Sequence, residues 1–186
     1  EKTGLCYRTD EGRLLDRYHA RVIFPVQTVS GMTVAFGGRT LSADKKVAKY
    51  VNSPESEIYS KSRELYGLYL AKHAIVKQNR CYLVEGYMDV IAMHQSGIEN
   101  VVASSGTSLT EGQIRLIHRF TDNITVLYDG DSAGIHASLR GIDMLLAEGL
   151  NVKVLLLPDG DDPDSFARKH SAADFQNYVE TRQVDF

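Results

Sequence analysis

From Cys81 onward the chain alternates between two hydrophobic periods, and that alternation restricts its fold more than any other feature. Short apolar runs rich in β-branched residues, CYLV (81–84), VVA (101–103), ITVLY (124–128) and VKVLLL (152–157), are separated by stretches patterned for helix: YMDVIAMHQSG, TEGQIRLIHRF and SAGIHASLRGIDMLLAEG. Near-continuous apolar strands alternating with helices of this length read as βαβ crossovers, which build a parallel sheet covered on both faces. Thr110 and Gln113 have the spacing of a capping box, and Gly97 and Gly149 stand where helices stop. The expectation is an α/β fold: a parallel four-stranded sheet flanked by helices.

The texture before residue 80 is different. RVIFPVQTVSGMTVAFGGRTL (21–41) reads as two strands turning at Ser30-Gly31, with Pro25 tolerable only at an edge or a bulge. SADKKVAKYVNSPESE (42–57) is polar and turn-rich, and SRELYGLYLAKHAIVKQ (62–78) reads as a helix leading into the α/β part. A length of 186 residues suits one domain with a smaller companion. The expected division is a basic α+β subdomain at 1–78 and the α/β domain at 79–186.

Charge follows the same division. The net charge is only −3, but residues 1–80 hold 14 Lys and Arg against 8 Asp and Glu, whereas residues 81–186 hold 7 against 16. Such an asymmetry between halves is a partner signal. Only two cysteines occur, Cys6 and Cys81, without a Cys-x-x-Cys pair or a His/Cys cluster, which argues for a reducing compartment and against structural zinc. No apolar run approaches the ~20 residues that span a bilayer. The chain opens on Glu, closes on TRQVDF, and reads as a piece of something longer.

The acids fall at particular places. Ligands of a parallel sheet bind beyond the carboxyl ends of its strands. The first strand ends at Glu85, with Asp89 four residues on. The third ends at Asp129 and Asp131, and the fourth is followed by PDGDDPD, with Asp159, Asp161, Asp162 and Asp164. Three strand ends thus deliver carboxylates to one rim. An all-oxygen set suits Mg²⁺ or Mn²⁺, and pairs of such ions serve phosphoryl and nucleotidyl transfer. Gly86 and Gly130 relieve crowding beside the acids, and Gly134 lets the following helix approach the sheet. Asp159 and Asp161 read as loop solvation; Pro163 pushes Asp162 into an extended conformation and helps to aim its carboxylate. His73, His94, His118 and His136 lack ligand spacing and read as structural residues. SSGTSLT (104–110) reads as a tight turn into a helix N-terminus that could offer backbone N–H groups to a phosphate.

These residues carry a family resemblance. Glu85 after a first strand and Asp129-x-Asp131 after a third look like the Toprim domain shared by topoisomerases of types IA and II, bacterial primases, RecR proteins and OLD-family nucleases. More narrowly, RVIFPV, AFGGR, KYVNSPES, LYGL, VEGYMDVIA, VASSGTSLT, LYDGDSAG and DDPD resemble, in order, the successive motifs of bacterial DnaG-type primases over nearly the whole chain. The resemblance implies a Toprim domain preceded by the small basic subdomain and followed by the start of a helical region. It implies an RNA polymerase core that makes short RNA primers on single-stranded DNA from NTPs.

By position, Glu85 matches the Toprim glutamate, and Asp89, Asp129, Asp131, Asp162 and Asp164 match the family's acidic metal cluster. That cluster would take Mg²⁺ or Mn²⁺, as more than one ion and with no zinc in this stretch. Catalysis is expected of Glu85, Asp129 and Asp131, with Glu85 open between metal ligand and general base. Arg39, Lys49 and Lys61 match basic residues that the family uses on nucleotide phosphates or template. Further expectations are a cytoplasmic monomer at the bacterial replication fork, nucleoid-associated and with no membrane partner. A replicative helicase would be reached through a domain outside this chain, as would the family's zinc-binding domain. The start of the core and the helical segment completing it also look cut away. Other Toprim functions stay in view: a binding module of the RecR kind, which needs few of these acids, a type IA topoisomerase, which needs a nucleophilic Tyr elsewhere, and a metal-dependent nuclease.

Overall fold

The computed structural model describes residues 4–106, 108–128 and 132–186, and the chain divides into two compact units, residues 1–61 and 62–186. Asp129, Gly130 and Asp131 lie outside the described residues, as does Thr107.

In the first unit, β1 (Cys6–Arg8) and β2 (Leu14–Asp16) form an antiparallel ribbon. Strands β3 (Arg21–Gln27), β4 (Thr33–Thr40) and β5 (Tyr50–Asn52) form an antiparallel sheet in that order. The expected turn is present: Gly31 N–H donates to the Thr28 carbonyl and Thr28 N–H to that of Met32. Pro25 sits on the edge strand β3, opposite Phe36, where its missing N–H costs the sheet least. β5 departs from expectation, since it falls inside the polar stretch 42–57. Three residues are too short to show a period, and tertiary bonds define the strand instead. The Arg21 guanidinium donates to the carbonyls of Gly38 (3.3 Å) and Ala48 (2.8 Å), tying the β4–β5 connection to β3. Behind the sheet the buried Tyr18 hydroxyl donates to the Phe36 carbonyl (2.9 Å) and lies 2.8 Å from Ser53 Oγ.

The second unit opens with a correction to the helix expected over 62–78. Helix α1 is Leu68–Gln78. Ahead of it Lys61–Arg63 makes one 3₁₀ turn, and Tyr66 exchanges both backbone hydrogen bonds with Ala103 (3.0 and 2.9 Å). Backbone groups spent on a strand cannot serve a helix, and Gly67, at φ +86°, makes the turn between the two states. The sheet then follows with β6 (Cys81–Val84), α2 (Tyr87–Gln95), β7 (Val101–Ala103), α3 (Glu111–His118), β8 (Asn123–Tyr128), α4 (Ser132–Ala147) and β9 (Asn151–Leu156). After β9 come α5 (Pro163–Lys169), α6 (Ala172–Thr181) and a short β10 (Val184–Asp185).

The described strands lie in the order β10-β9-β8-β6-β7. The four expected strands are parallel, and β10 adds an antiparallel edge that its two residues gave no periodicity to announce. All four residues of β6 are buried, so both faces of the sheet require cover. One face is packed by α2, α5 and α6, where Tyr82, Val84, Ala103, Leu127 and Leu155 meet Val90, Met93, Phe166 and Phe175. Helix α4 packs on β8 and β9 and against α3, burying Ile142 and Leu145. The predicted stops and cap are in place. Gly97 and Gly149 take positive φ, and Thr110 Oγ1 accepts from Gln113 N–H (3.3 Å) while Gln113 Oε1 accepts from Thr110 N–H (3.2 Å).

Phe166 is the hub of the α5 packing. It is 2% exposed, with ring centroids of Phe175 and Tyr178 at 5.0 and 5.1 Å and the His170 ring stacked at 3.9 Å. Phe166→Ala is expected to destabilise this unit by about 3–5 kcal/mol. Leu146→Ala, on a side chain 44% exposed, should stay within about 0.5 kcal/mol of the parent. Urea denaturation of the two variants beside the parent checks the contrast.

Candidate functional site

The chain leaves β6 toward β7 on one side, then returns to place β8 on the other. The strand order therefore reverses between β6 and β8, and the carboxyl ends of these two strands mark the place where sheets of this kind hold ligands. Glu85 is the first residue past β6 and is exposed. Asp129 is the first past β8, which is described to Tyr128; Asp129 and Asp131 themselves lie outside the described residues.

Each rim segment is built by a distinct local device. Gly86, extended at φ −122° and ψ 169°, is the N-cap of α2, and its N–H donates to Asp89 Oδ2 at 2.9 Å. Asp89 is 8% exposed. After β7 the chain turns sharply, as SSGTSLT suggested. Ser105 takes a left-handed φ of +58°, and its N–H donates to the Glu85 carbonyl at 3.0 Å. Beyond β9 a single turn, Pro158–Gly160, leads to Asp162, which caps α5: its Oδ1 accepts from Ser165 N–H at 2.6 Å. Pro163 occupies the first helical position and Asp162 is extended (φ −91°, ψ 166°), the aim expected of that proline. Asp164 pairs with Arg168 one helical turn on, with a second contact of 3.3 Å from Arg168 Nε.

Asp161 corrects the reading of its segment as loop solvation. It is 6% exposed, and Lys169 Nζ meets both its oxygens at 2.7 and 2.9 Å while the Ser165 hydroxyl donates at 2.8 Å. The Lys169 ammonium, followed by that hydroxyl, holds the Asp161 carboxyl below the ordinary carboxylate range. An acid and a lysine eight residues apart carry no helical spacing, so no pattern in the chain announced the pair.

Glu85, Asp89, Asp162 and Asp164 thus stand at one rim of the sheet, since α2 and α5 both leave the carboxyl ends of parallel strands and pack together. Because β8 lies between β6 and β9, the two sets begin about 10 Å apart. Among the described residues, no three His, Cys, Asp or Glu side chains lie close enough to hold a metal ion. His73, His94 and His118 are exposed, His118 beside Asp122 at 3.0 Å.

The basic candidates lie in the first unit. Arg39, half-buried on β4, faces Val22 on β3 and Tyr50 on β5. Lys49 precedes Tyr50, is exposed, and has its ammonium 6.0 Å from the Tyr50 ring centroid. Its carbonyl accepts from Thr40 N–H, so Arg39 and Lys49 belong to one patch of paired strands. Lys61 lies apart from that pairing, in its 3₁₀ turn, with its backbone N–H on Glu55 Oε1 at 2.7 Å.

Two family models divide the chain between them: one for the N-terminal domain of the DNA primase catalytic core matches residues 1–72, and one described as Toprim-like matches residues 82–167. The chain is 49% identical to a DNA primase of Halalkalibacterium halodurans over 175 residues, covering 94% of this chain and 29% of that protein. Its fold matches the crystal structure of a DNA primase domain from Pseudomonas aeruginosa with a TM-score of 0.89 and 39% identity, over 99% of this chain and 58% of that one. A structure of the DnaG primase catalytic domain bound to single-stranded DNA matches with a TM-score of 0.89 and 41% identity, over 99% and 59%.

The chain belongs to the DnaG-type primase family. It spans about three tenths of the length of the curated relatives it matches. Membership of this primase family implies the use of divalent metal, and the residues present fit such a group. Glu85, Asp162 and Asp164, which the rim offers after β6 and β9, carry carboxylates, hard oxygen donors of the kind that Mg²⁺ and similar ions take. Gly86 leaves room for them: a Cβ there would stand 3.0 Å from Asp89 Oδ2.

The Asp161–Lys169 pair gives the rim a defined response to acid. A carboxyl whose folded pKa is depressed contributes stability above its unfolded pKa and loses it as pH falls through the folded value. Lys169→Met is therefore expected to unfold at lower urea than the parent near neutrality. The gap should close as the solution is acidified below the ordinary carboxylate range, and urea midpoints across pH check it.

Proposed function

We propose that this chain carries the catalytic centre of a DNA primase, which makes RNA primers on single-stranded DNA from NTPs by metal-assisted nucleotidyl transfer during replication. The observation that carries the reading is the placement of Glu85 and of the end of β8, which Asp129 follows in sequence, at the reversal point of the sheet, with Asp162 and Asp164 leaving the same rim. Supporting it, residues 1–72 match the model of the N-terminal domain of the DNA primase catalytic core, residues 82–167 match a Toprim-like model, and a relative of this fold has been solved with single-stranded DNA bound.

Glu85, Asp129, Asp131, Asp162 and Asp164 hold the divalent ions, Mg²⁺ or Mn²⁺ and more than one of them. When bound, the ions neutralise charge on the triphosphate and ease deprotonation of the primer 3′-hydroxyl. The chain's own groups do the rest. Glu85, exposed at the end of β6, is a ligand or the base that accepts that proton. Asp162 and Asp164 are presented by the first turn of α5, whose capping bond and proline fix the backbone that carries them. Asp89 stands apart, with one oxygen committed to the Gly86 amide. Arg39, Lys49 and Lys61 bind triphosphate or template backbone. Residues 1–78 serve as the basic nucleic-acid-handling part and 79–186 as the Toprim part with the start of a helical region. The complete enzyme works in the cytoplasm at the fork, as a monomer that meets the replicative helicase through a domain outside this chain.

Asp129→Ala in the complete protein is expected to abolish primer synthesis on single-stranded template while leaving circular dichroism unchanged. Normal primer yield from that variant would remove the proposal. Replacing Arg39, Lys49 or Lys61 singly by Ala should weaken template binding and lower its salt slope by about one for each phosphate no longer neutralised, read from binding titrations at several salt concentrations.

A further inference from the structure

We propose that Asp89 and Ser105 act together as positioning residues for Glu85, by holding from both ends the one peptide bond that joins Glu85 to Gly86. The inference rests on the reading of Glu85 as a working residue, but the clamp can be observed without activity. The two hydrogen bonds described above meet on a single peptide group. Its carbonyl, that of Glu85, accepts from Ser105 N–H at 3.0 Å; its N–H, that of Gly86, donates to Asp89 Oδ2 at 2.9 Å. A peptide is planar, and its C=O and N–H point in opposite directions, so a bond at each end fixes the plane. Glu85 is attached directly to that plane. The clamp thereby sets the direction in which the exposed Glu85 leaves the end of β6.

Three features show that the structure is built around this arrangement. Asp89 is buried to 8% exposure, where a bond between a carboxylate and an amide is strong and its loss is felt. Gly86 has an extended backbone that any residue can adopt, so glycine is there for room: a Cβ would come within 3.0 Å of Asp89 Oδ2. Ser105 holds φ at +58°, a conformation unfavourable for a residue with a side chain, and in that conformation its N–H meets the Glu85 carbonyl. The carboxylate of Asp89 is thus spent on the backbone of the glutamate and orients it, in place of acting as an ion ligand.

An orienting acceptor and an ion ligand respond differently to substitution. Asparagine keeps an oxygen that can accept from Gly86 N–H but gives up the charge; alanine gives up both. In the intact protein labelled with ¹⁵N-glycine, the Gly86 amide should be protected from hydrogen exchange in the parent and in Asp89→Asn, and exposed in Asp89→Ala. Primer synthesis should show kcat lowered by about 10- to 100-fold in Asp89→Ala with KM for NTP unchanged, and by less than about tenfold in Asp89→Asn, the range typical of groups that orient a ligand side chain. Titration with Mn²⁺ alone should give the same half-saturation for Asp89→Asn as for the parent. Gly86→Ala crowds the carboxylate without straining the backbone, and should reproduce the kcat loss of Asp89→Ala should that variant not fold.

The proposal is overturned if Asp89→Asn is as inactive as Asp89→Ala or loses Mn²⁺ affinity, since either marks Asp89 as a ligand. It is equally overturned if Gly86 stays protected in Asp89→Ala, or if Gly86→Ala keeps the parent kcat. Failure of the functional reading looks different: Glu85→Gln would still make primers while the Gly86 exchange pattern stayed as described.

Discussion

A strand buried on both faces can hold no charge along its length. All four residues of β6 are buried, with β7 and β8 on either side of it in the sheet, and an ionised group among them would be without water. The first place where charge is tolerated is one step past the strand, and that step is Glu85. The rest of the molecule depends on this restriction. It puts the charged side chains at the rim, and the described rim segments after β6 and β9 lead from an apolar strand to a helix N-terminus held by short polar contacts.

The acids of the rim divide accordingly. Asp162 accepts the Ser165 amide in the first turn of α5, Asp164 pairs with Arg168, Asp161 with Lys169, and Asp89 with the amide of Gly86. Negative charge at a helix N-terminus is favoured by the helix dipole, and a cap of the Asp162 kind typically stabilises by about 1 kcal/mol. The frame that presents Glu85 is therefore held by the chain's own donors and cations. A carboxylate at this rim can be structural, functional or both, and only its hydrogen-bond partners separate these roles.

How far the chain announced this structure follows from the range over which each signal acts. The four parallel strands and the helices between them were legible because their apolar periods run for several residues and because Thr110, Gln113, Gly97 and Gly149 punctuate them. β5 and β10 were not, since two or three residues cannot display a period and their pairing is decided by distant partners. The over-long helix at 62–78 shows a local pattern losing to tertiary demand: Tyr66 spends its backbone on Ala103 before Gly67 lets the helix begin. At the site, the rim positions of Glu85, Asp162 and Asp164 were readable from the rule for strand ends, and so was the extended Asp162 before Pro163; Asp129 and Asp131 lie outside the described residues. The Asp161–Lys169 pair was not, because eight residues is no helical spacing, and neither were the two bonds on the Glu85–Gly86 peptide, because backbone partners leave no trace in residue types.

The two flanks of the larger sheet end differently from its rim. At β7, Tyr66 adds one bridge from the segment just upstream of the first strand; at β9, β10 adds an antiparallel strip from the last residues of the chain, with Phe186 N–H reaching the Val152 carbonyl. Each flank is thus finished by a stretch lying outside the strands it protects, one before them and one after. β10 covers part of the outer border of β9, and removing Val184–Phe186 would leave those backbone groups of β9 open to a foreign strand.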